Sequence, residues 1–142
     1  MKKIFAMVLV LTLAISMVAC GGSKLKDGTY KAETSDAAAE ASHGWKDTLT
    51  VTVASGKVSD VDFESFDADG NKKSETTAET YPMDPHPTTW MPTIEANIKA
   101  AASPDEFVPV AGATNSSDTA KKLYAAILTA AADGKTDTIV VD

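Results

Sequence analysis

The chain has 142 residues, with 13 basic residues against 20 acidic ones, a formal net charge of -7 and a single cysteine. A chain of this length can build one apolar core, and a second domain is not expected. The acidic balance repels phosphodiester backbones and anionic lipid surfaces, which argues against nucleic acid as a partner.

The first 20 residues have the composition of an export signal. Lys2 and Lys3 precede an apolar run over residues 4–14, and small residues follow it. A run of this length behind a basic start predicts a cleaved signal peptide over residues 1–19, the alternative being an uncleaved anchor helix. Cleavage leaves 123 residues with 11 basic and 20 acidic side chains, a net charge of -9.

The segment Met17-Val18-Ala19-Cys20 resembles the lipobox of bacterial lipoproteins. The resemblance implies that Cys20 is lipidated and that the protein is held outside the cytoplasm on the cell membrane. Cys20 has no second cysteine to pair with, and the alternative is an unmodified thiol. Acyl chains would contribute about 0.8 kcal/mol per buried methylene to the anchoring. Residues 20–26 are then a short lipidated tether, and residues 27–142 form the domain.

The first half of the domain reads as β structure. The stretch GTYKAE after Asp27 predicts a first strand, and the alanine-rich residues 37–41 predict a loop or a single turn. Leu49, Val51 and Val53 alternate with threonines, the period of a strand buried on one face. A turn at Ser55 and Gly56 leads into a second strand that ends at residue 66, so the two form a hairpin.

The second half supplies two helices and a last strand. The first helix follows Pro92, and the second runs from about Ser117 to Ala132, where Asp133 and Gly134 end it. The terminal TIVV predicts a short strand that joins the sheet. Strands and helices are grouped rather than alternating, which predicts a single α+β domain with a small antiparallel sheet and two main helices packed on it.

The proline-rich segment between the halves, residues 81–92, is predicted to lack regular structure. Trp90 and Met91, with Tyr81 and His86, give it more aromatic and polarisable surface than a solvated connection needs. It is a candidate wall for a planar ligand, and the alternative is that Trp90 covers the core.

The stretch VAGATNSS, residues 110–117, places hydroxyl and amide side chains before a helix. Gly112 permits a tight turn and Ala113 leaves the surroundings uncrowded. A helix amino terminus presents unpaired N–H groups that favour an anion such as phosphate. The alternative is that Asn115 or Ser116 is only an N-cap.

Five stretches in order resemble the FMN-binding domain found in small bacterial lipoproteins and in subunits of membrane flavin electron-transfer systems. They are DGTYKAE from residue 27, HGWKDTLTVTVASGKVSDVDF from residue 43, WMPTIEANI from residue 90, VAGATNSS from residue 110 and GKTDTIVVD from residue 134. They span most of the mature chain.

The resemblance implies an exported domain that carries FMN and passes electrons, more a carrier than a self-contained enzyme. Thr114 matches the position where family members bond the flavin phosphate as a phosphoester made by a separate flavin transferase. The other implied cofactor contacts are Gly112, Ala113, Asn115, Ser116, Ser117, Trp90 and Met91.

One position departs from the family pattern. An acidic residue usually lies six positions before the threonine, and here that position is Val108. Covalent attachment at Thr114 therefore depends on whether the transferase needs that carboxylate. The alternative hypothesis is a non-redox surface lipoprotein that acts as a ligand-binding or interaction module without flavin.

Other chemistry finds little support in the sequence. His43 and His86 are the only histidines, so no metal site is expected. No GxGxxG is present, which excludes a Rossmann dinucleotide site, and no histidine lies at a suggestive spacing from Ser116 and Ser117 to support a hydrolase.

Overall fold

The computed structural model of the protein describes residues 24–142. The predicted signal peptide, Cys20 and the first part of the tether lie outside the described residues. No helix within residues 24–142 is both long enough and apolar enough to span a bilayer.

The described chain forms one four-stranded sheet with helices on one face. Its elements are β1 (Gly28–Thr34), α1 (Asp36–Ala41), β2 (Lys46–Ala54), β3 (Lys57–Phe66), α2 (Pro87–Ala100), α3 (Thr114–Asp133) and β4 (Ile139–Val141). Short 3₁₀ turns lie at Lys73–Glu75 and Pro104–Glu106. The α+β class with two main helices is confirmed.

The strand order is β3-β2-β1-β4. β1 and β2 pair antiparallel with Ala32 opposite Leu49, and β2 and β3 pair antiparallel with Leu49 opposite Phe63. The sheet is mixed rather than antiparallel throughout, because β4 runs parallel to β1 with Ile139 opposite Ala32. A parallel partner needs a crossover, and α3 provides it.

The predicted hairpin and its buried face are confirmed. Leu49, Val51 and Val53 are buried, as alternation requires. Ser55 and Gly56 both have positive φ, 53° and 74°, the backbone of the tight turn that suits the twist of two antiparallel strands.

The helices cover this face with one continuous core. α2 packs on β3, and α3 packs on β1 and β2. Ile94 and Ile98 of α2 are fully buried, as are Leu123 and Ile127 of α3, in agreement with the predicted apolar stripes.

Three sequence-based expectations about local structure were wrong. Residues 36–41 form a helix because the Ser35 hydroxyl accepts from the Ala38 N–H at 3.2 Å and caps it. α2 begins at Pro87, inside the segment predicted to be irregular, because proline suits a first helical position and His86 caps the turn. α3 begins at Thr114, three residues before the expected start.

The last tether residues belong to the domain. Leu25 packs against the core, and the Lys26 N–H donates to the Ala131 carbonyl at 2.9 Å. The chain is therefore fixed to α3 before the first strand begins.

A carboxylate from α2 accepts a hydrogen bond from one backbone N–H on the outer edge of the sheet. β3 is an edge strand, and the Phe63 N–H donates to Oε1 of Glu95 at 2.9 Å. Burial raises the pKa of Glu95, the bond from the Phe63 N–H lowers it, and the nearby carboxylates of Asp62, Asp60 and Glu64 raise it, so that the net change is an increase. The ionised side chain thus satisfies an edge donor at an electrostatic cost.

Glu95→Gln should raise stability at neutral pH, because the amide oxygen can still accept the Phe63 N–H while the charge is removed. A carboxyl with a raised pKa in the folded protein favours folding at low pH and loses that contribution as pH rises through the folded pKa. The gain, roughly 0.5 kcal/mol for relief of one like-charge contact, should therefore be present at pH 7 and vanish below about pH 4.

Urea unfolding at the two pH values measures this difference, with the exposed Glu40→Gln as the charge-matched control. An equal gain for both variants at pH 7 would contradict the assignment to the β3 edge.

Candidate functional site

An open cavity of about 410 Å³ lies where the start of α3 meets the proline-rich segment and the start of β2. A volume of this size is typical of sites for a drug-sized ligand. Its lining contains charged, hydroxyl and aromatic side chains: Ala41, Ser42, His43, Asp47, Lys73, Tyr81, Met83, Trp90, Gly112, Ala113, Thr114, Asn115, Ser116 and Thr119.

Most of the sequence-predicted site residues meet in this cavity. Gly112, Ala113, Thr114, Asn115 and Ser116 line it together with Trp90. The exception on α3 is Ser117, which is fully buried and whose Oγ accepts from the Val110 N–H at 2.9 Å. Ser117 therefore holds the loop that precedes the helix instead of lining the cavity.

The exception on α2 is Met91. Trp90 and Met91 are adjacent in a helix, so their side chains point about 100° apart. Both side chains are buried in the core, so Trp90 covers the core as the alternative expected, and of the two only Trp90 also lines the cavity. Met83 lines the cavity beside Tyr81.

The start of α3 has no side-chain cap. The N-cap position is Ala113, which has no side-chain acceptor, so neither Asn115 nor Ser116 is the N-cap. The first intrahelical bond is donated by Ser117 to the Ala113 carbonyl at 2.8 Å. Among residues 24–142, the N–H groups of Thr114, Asn115 and Ser116 find no acceptor, and they lie at the positive end of a 20-residue helix.

The loop before α3 is fixed by three polar contacts. The Asn97 Nδ2 donates to the Val108 carbonyl at 2.8 Å, and the Ala113 N–H donates to the Val110 carbonyl at 3.0 Å, in addition to the Val110–Ser117 bond. Val108 itself is exposed. These contacts leave the Thr114 side chain exposed at the cavity without a hydrogen bond to any described residue.

Lys73 brings a positive charge to the cavity, and sequence reasoning missed it. The residue is buried, and its Nζ lies 4.7 Å from the centroid of the Trp45 ring and 5.5 Å from that of the Tyr81 ring. The two rings meet edge to face at 5.8 Å. Within residues 24–142, the ammonium makes no hydrogen bond and no ion pair within 4.0 Å. Two aromatic faces thus stabilise it while it stays available to a ligand.

The charge of Lys73 is balanced at longer range by two buried carboxylates. Burial lowers the pKa of Lys73, and Asp47 and Glu64 oppose that shift. Burial raises the pKa of Asp47, whose Oδ1 accepts a short hydrogen bond from the Ser65 hydroxyl. Glu64 accepts from the Ser74 N–H at 3.2 Å and so fixes the 3₁₀ turn that carries Lys73. Asp47 and Lys73 line the cavity together.

Trp90 contributes an unused hydrogen-bond donor. Its side chain is 1% exposed and lines the cavity, yet its Nε1 has no partner among the described residues. A buried indole N–H normally finds an acceptor, and its absence costs about 1–3 kcal/mol. The cavity thus combines free N–H donors, an ammonium and aromatic surface, a set suited to an anionic ligand with a planar part.

Gly112 shapes the cavity by close contact with the proline-rich segment. Its φ of 82° lies in the left-handed region, and a Cβ added there would lie 2.5 Å from Cδ of Pro85. Gly112→Ala should therefore cost more than the 1–2 kcal/mol of the backbone conformation alone, because Pro85 must also move.

Gly70→Ala is the matched control, because Gly70 has a φ of 83° and open space around it. Thermal unfolding of the two variants separates the steric part from the backbone part. Equal losses of stability would contradict the contact between Gly112 and Pro85.

Comparison with known proteins identifies a relative by structure. No family model matches the chain, and no curated protein matches it. Its fold is similar to the crystal structure of the CPE2226 protein from Clostridium perfringens, with a TM-score of 0.75 and 32% sequence identity over 83% of this chain and 98% of that one. The chain therefore belongs to the same family as the CPE2226 protein of Clostridium perfringens.

Proposed function

We propose that the protein is a lipid-anchored, extracytoplasmic FMN-binding protein that acts as an electron carrier. The observation that carries the proposal is the cavity of about 410 Å³, which is lined by an uncapped helix start, by Lys73 with its free ammonium and by Trp90, whose buried indole N–H is unpaired. FMN has a chemical group for each of them: a phosphate for the helix start, ring carbonyls or the phosphate for the ammonium, and a planar ring system for the indole.

The phosphate end is assigned to the start of α3. The free N–H groups of Thr114, Asn115 and Ser116 would donate to phosphate oxygens, and the helix dipole would stabilise their charge. Thr114 is exposed beside these donors, so its hydroxyl is available for a phosphoester bond. The transferase would take the flavin from a phosphoanhydride donor, whose P–O bond breaks and releases a nucleoside monophosphate as the threonine oxygen bonds to phosphorus and loses its proton. The loop contacts of Asn97 and Ser117 would hold the donors in place before the ligand arrives.

The ring end is assigned to the aromatic side of the cavity. Trp90, Tyr81 and Met83 would offer it apolar surface, and the Trp90 indole N–H would donate to a ring acceptor. The Lys73 ammonium would contact an electron-rich edge of the ring or a phosphate oxygen. Each of these residues binds or orients the flavin and excludes water.

When bound, FMN would supply the capacity to accept and release electrons. The lining residues include no pair of nucleophile and base joined by a hydrogen bond, the arrangement that covalent catalysis requires. An electron carrier needs neither a nucleophile nor a general base. The donor and the acceptor would then be other proteins or small molecules that reach the open cavity.

Recognition by a flavin transferase would take place at an accessible loop. Val108 is 63% exposed, so the position that is usually acidic in the FMN-binding family that the sequence resembles lies on the surface and within reach of an enzyme. A transferase that recognises the conformation of the loop would modify Thr114 in this chain. A transferase that requires a carboxylate at position 108 would leave FMN bound without a covalent bond.

Thr114→Ala tests the attachment site. The wild-type chain, co-expressed with a flavin transferase, should be yellow and carry the mass of one ester-linked FMN after denaturation. Thr114→Ala should lose that mass, while Ser116→Ala, a hydroxyl two residues away in the same cavity, should keep it.

Intact-mass spectrometry and flavin absorbance are the measurements. Wild-type protein that is colourless and fails to bind added FMN would overturn the proposal in favour of a module without flavin. FMN that remains on Thr114→Ala after denaturation would overturn the attachment site alone.

Lys73→Met tests the ammonium as a ligand contact. The change keeps most of the buried volume and removes the charge, so we expect non-covalent FMN affinity to fall about tenfold or more, the scale of one charge-assisted hydrogen bond. The neighbouring exposed Lys72→Met is the matched control and should bind as wild type does. Fluorescence titration with FMN measures both, and equal affinities for the two variants would contradict the role of Lys73.

A further inference from the structure

A second cavity, of about 840 Å³, lies at the other end of the molecule. Its floor includes Val58, Tyr124 and Leu128, and its rim carries Lys24, Lys57 and Lys99, with no acidic residue in the lining. We call it the basic groove. Lys24 lies across the hairpin turn, since a Cβ added at Gly56 would lie 2.9 Å from its Cε.

The three lysines of the basic groove are free of ion pairs. Within residues 24–142, none of them has a carboxylate oxygen within 4.0 Å, and all three are exposed. The mature chain has 11 basic and 20 acidic side chains, so carboxylates are abundant elsewhere on its surface. The Asp27 carboxylate accepts from the Gly56 N–H at the edge of the groove, and that bond, together with the charge of Lys24, lowers the pKa of Asp27. The unneutralised charge is therefore that of Lys57 and Lys99, and positive charge around an apolar floor suits a surface that offers both anionic groups and hydrocarbon.

The basic groove and the cavity at the start of α3, to which FMN is assigned above and which we call the flavin cavity, lie at opposite ends of that helix. The cavity contains Thr114 to Ser116 and Thr119, whereas the groove contains Leu128, Thr129 and Ala132. A helix of 20 residues is about 30 Å long. β2 repeats the arrangement, because Asp47 near its start lines the cavity and Gly56 after its end lines the groove.

We propose that the basic groove docks on the anionic headgroups of the lipid bilayer to which the protein is tethered. The inference rests on the proposed anchoring at Cys20. Lys24 lies four residues after Cys20 and on the rim of the groove, and four extended residues span at most about 14 Å. An anchor at Cys20 therefore keeps the groove close to the membrane, and each lysine near an anionic surface adds about 1 kcal/mol.

The docked orientation directs the flavin cavity away from the membrane. The open end that holds Thr114, Lys73 and Trp90 would face the aqueous side, about one helix length from the headgroups. Redox partners would then reach the cavity without displacing the anchor.

The experiment tethers the protein chemically, so that it depends neither on natural lipidation nor on flavin. The processed chain, residues 20–142, is coupled through its single cysteine to a maleimide phospholipid in vesicles. One set of vesicles is pure phosphatidylcholine and the other contains 30% phosphatidylglycerol. A water-soluble amine-acylating reagent then labels the lysines, and mass spectrometry measures the extent of labelling at each lysine. Circular dichroism checks that the coupled chain is folded.

Lys57 and Lys99 should be labelled about fivefold more slowly on the anionic vesicles, the factor that corresponds to about 1 kcal/mol per lysine. The exposed Lys72 and Lys122 should be labelled equally on both. Salt at 0.5 M should abolish the protection, because it screens the contact.

Lys57→Gln with Lys99→Gln should remove the orientation, so that Lys24, the remaining lysine of the groove, is labelled equally on both kinds of vesicle. Lys72→Gln with Lys122→Gln changes net charge equally and should leave Lys57 and Lys99 protected. Equal labelling of Lys57 and Lys99 on both kinds of vesicle would overturn the proposal. Protection of Lys72 and Lys122 instead would assign the opposite face to the membrane. A dimer in vesicle-free solution that the Lys57 and Lys99 changes disrupt would assign the groove to a second copy of the chain, and this too would overturn the proposal.

Discussion

The site depends on one constraint, the way in which the chain enters α3 without a capping side chain. Ser117 and Asn97 bond to the loop that precedes the helix, at the Val110 N–H and the Val108 carbonyl. The alanine at the N-cap then leaves the first N–H groups of the helix without an acceptor among the described residues. A surface helix usually supplies its own cap, so this free end suits an anion from outside the chain.

The charge of the site follows from how Lys73 is buried. An ammonium removed from water needs compensation, and here two aromatic rings and the carboxylates of Asp47 and Glu64 share that role without forming a direct ion pair. A direct pair would have neutralised the lysine. The arrangement keeps a cation in the cavity of a chain whose formal net charge is -7, and it would offset the repulsion that an anionic cofactor meets.

Local sequence patterns predicted the strands and helices that form the two layers of the fold, but they did not predict the contacts between residues far apart in the chain. The alternation over β2 and the stripe on α3 fixed which faces are buried, because each pattern is complete within one element. The parallel pairing of β4 was not predictable, since it depends on where α3 delivers the chain. Gly112 and Thr114 were predicted from the VAGATNSS stretch together with its resemblance to the FMN-binding domain. Lys73 is 41 positions away from Thr114, and its sequence surroundings are typical of an ordinary solvated turn. Burial of Lys73 between Trp45 and Tyr81 becomes visible only once the fold brings the three together.

The central claim is that the uncapped start of α3 holds the phosphate of a flavin. Comparing the affinities of FMN and riboflavin for the unmodified protein tests it most directly, because the two ligands share the ring and differ in the phosphate. Isothermal titration calorimetry at low ionic strength should give FMN an affinity about thirtyfold or more above that of riboflavin, the scale of charge-assisted hydrogen bonds to backbone N–H groups. Equal affinities, or no binding of either ligand, would contradict the account.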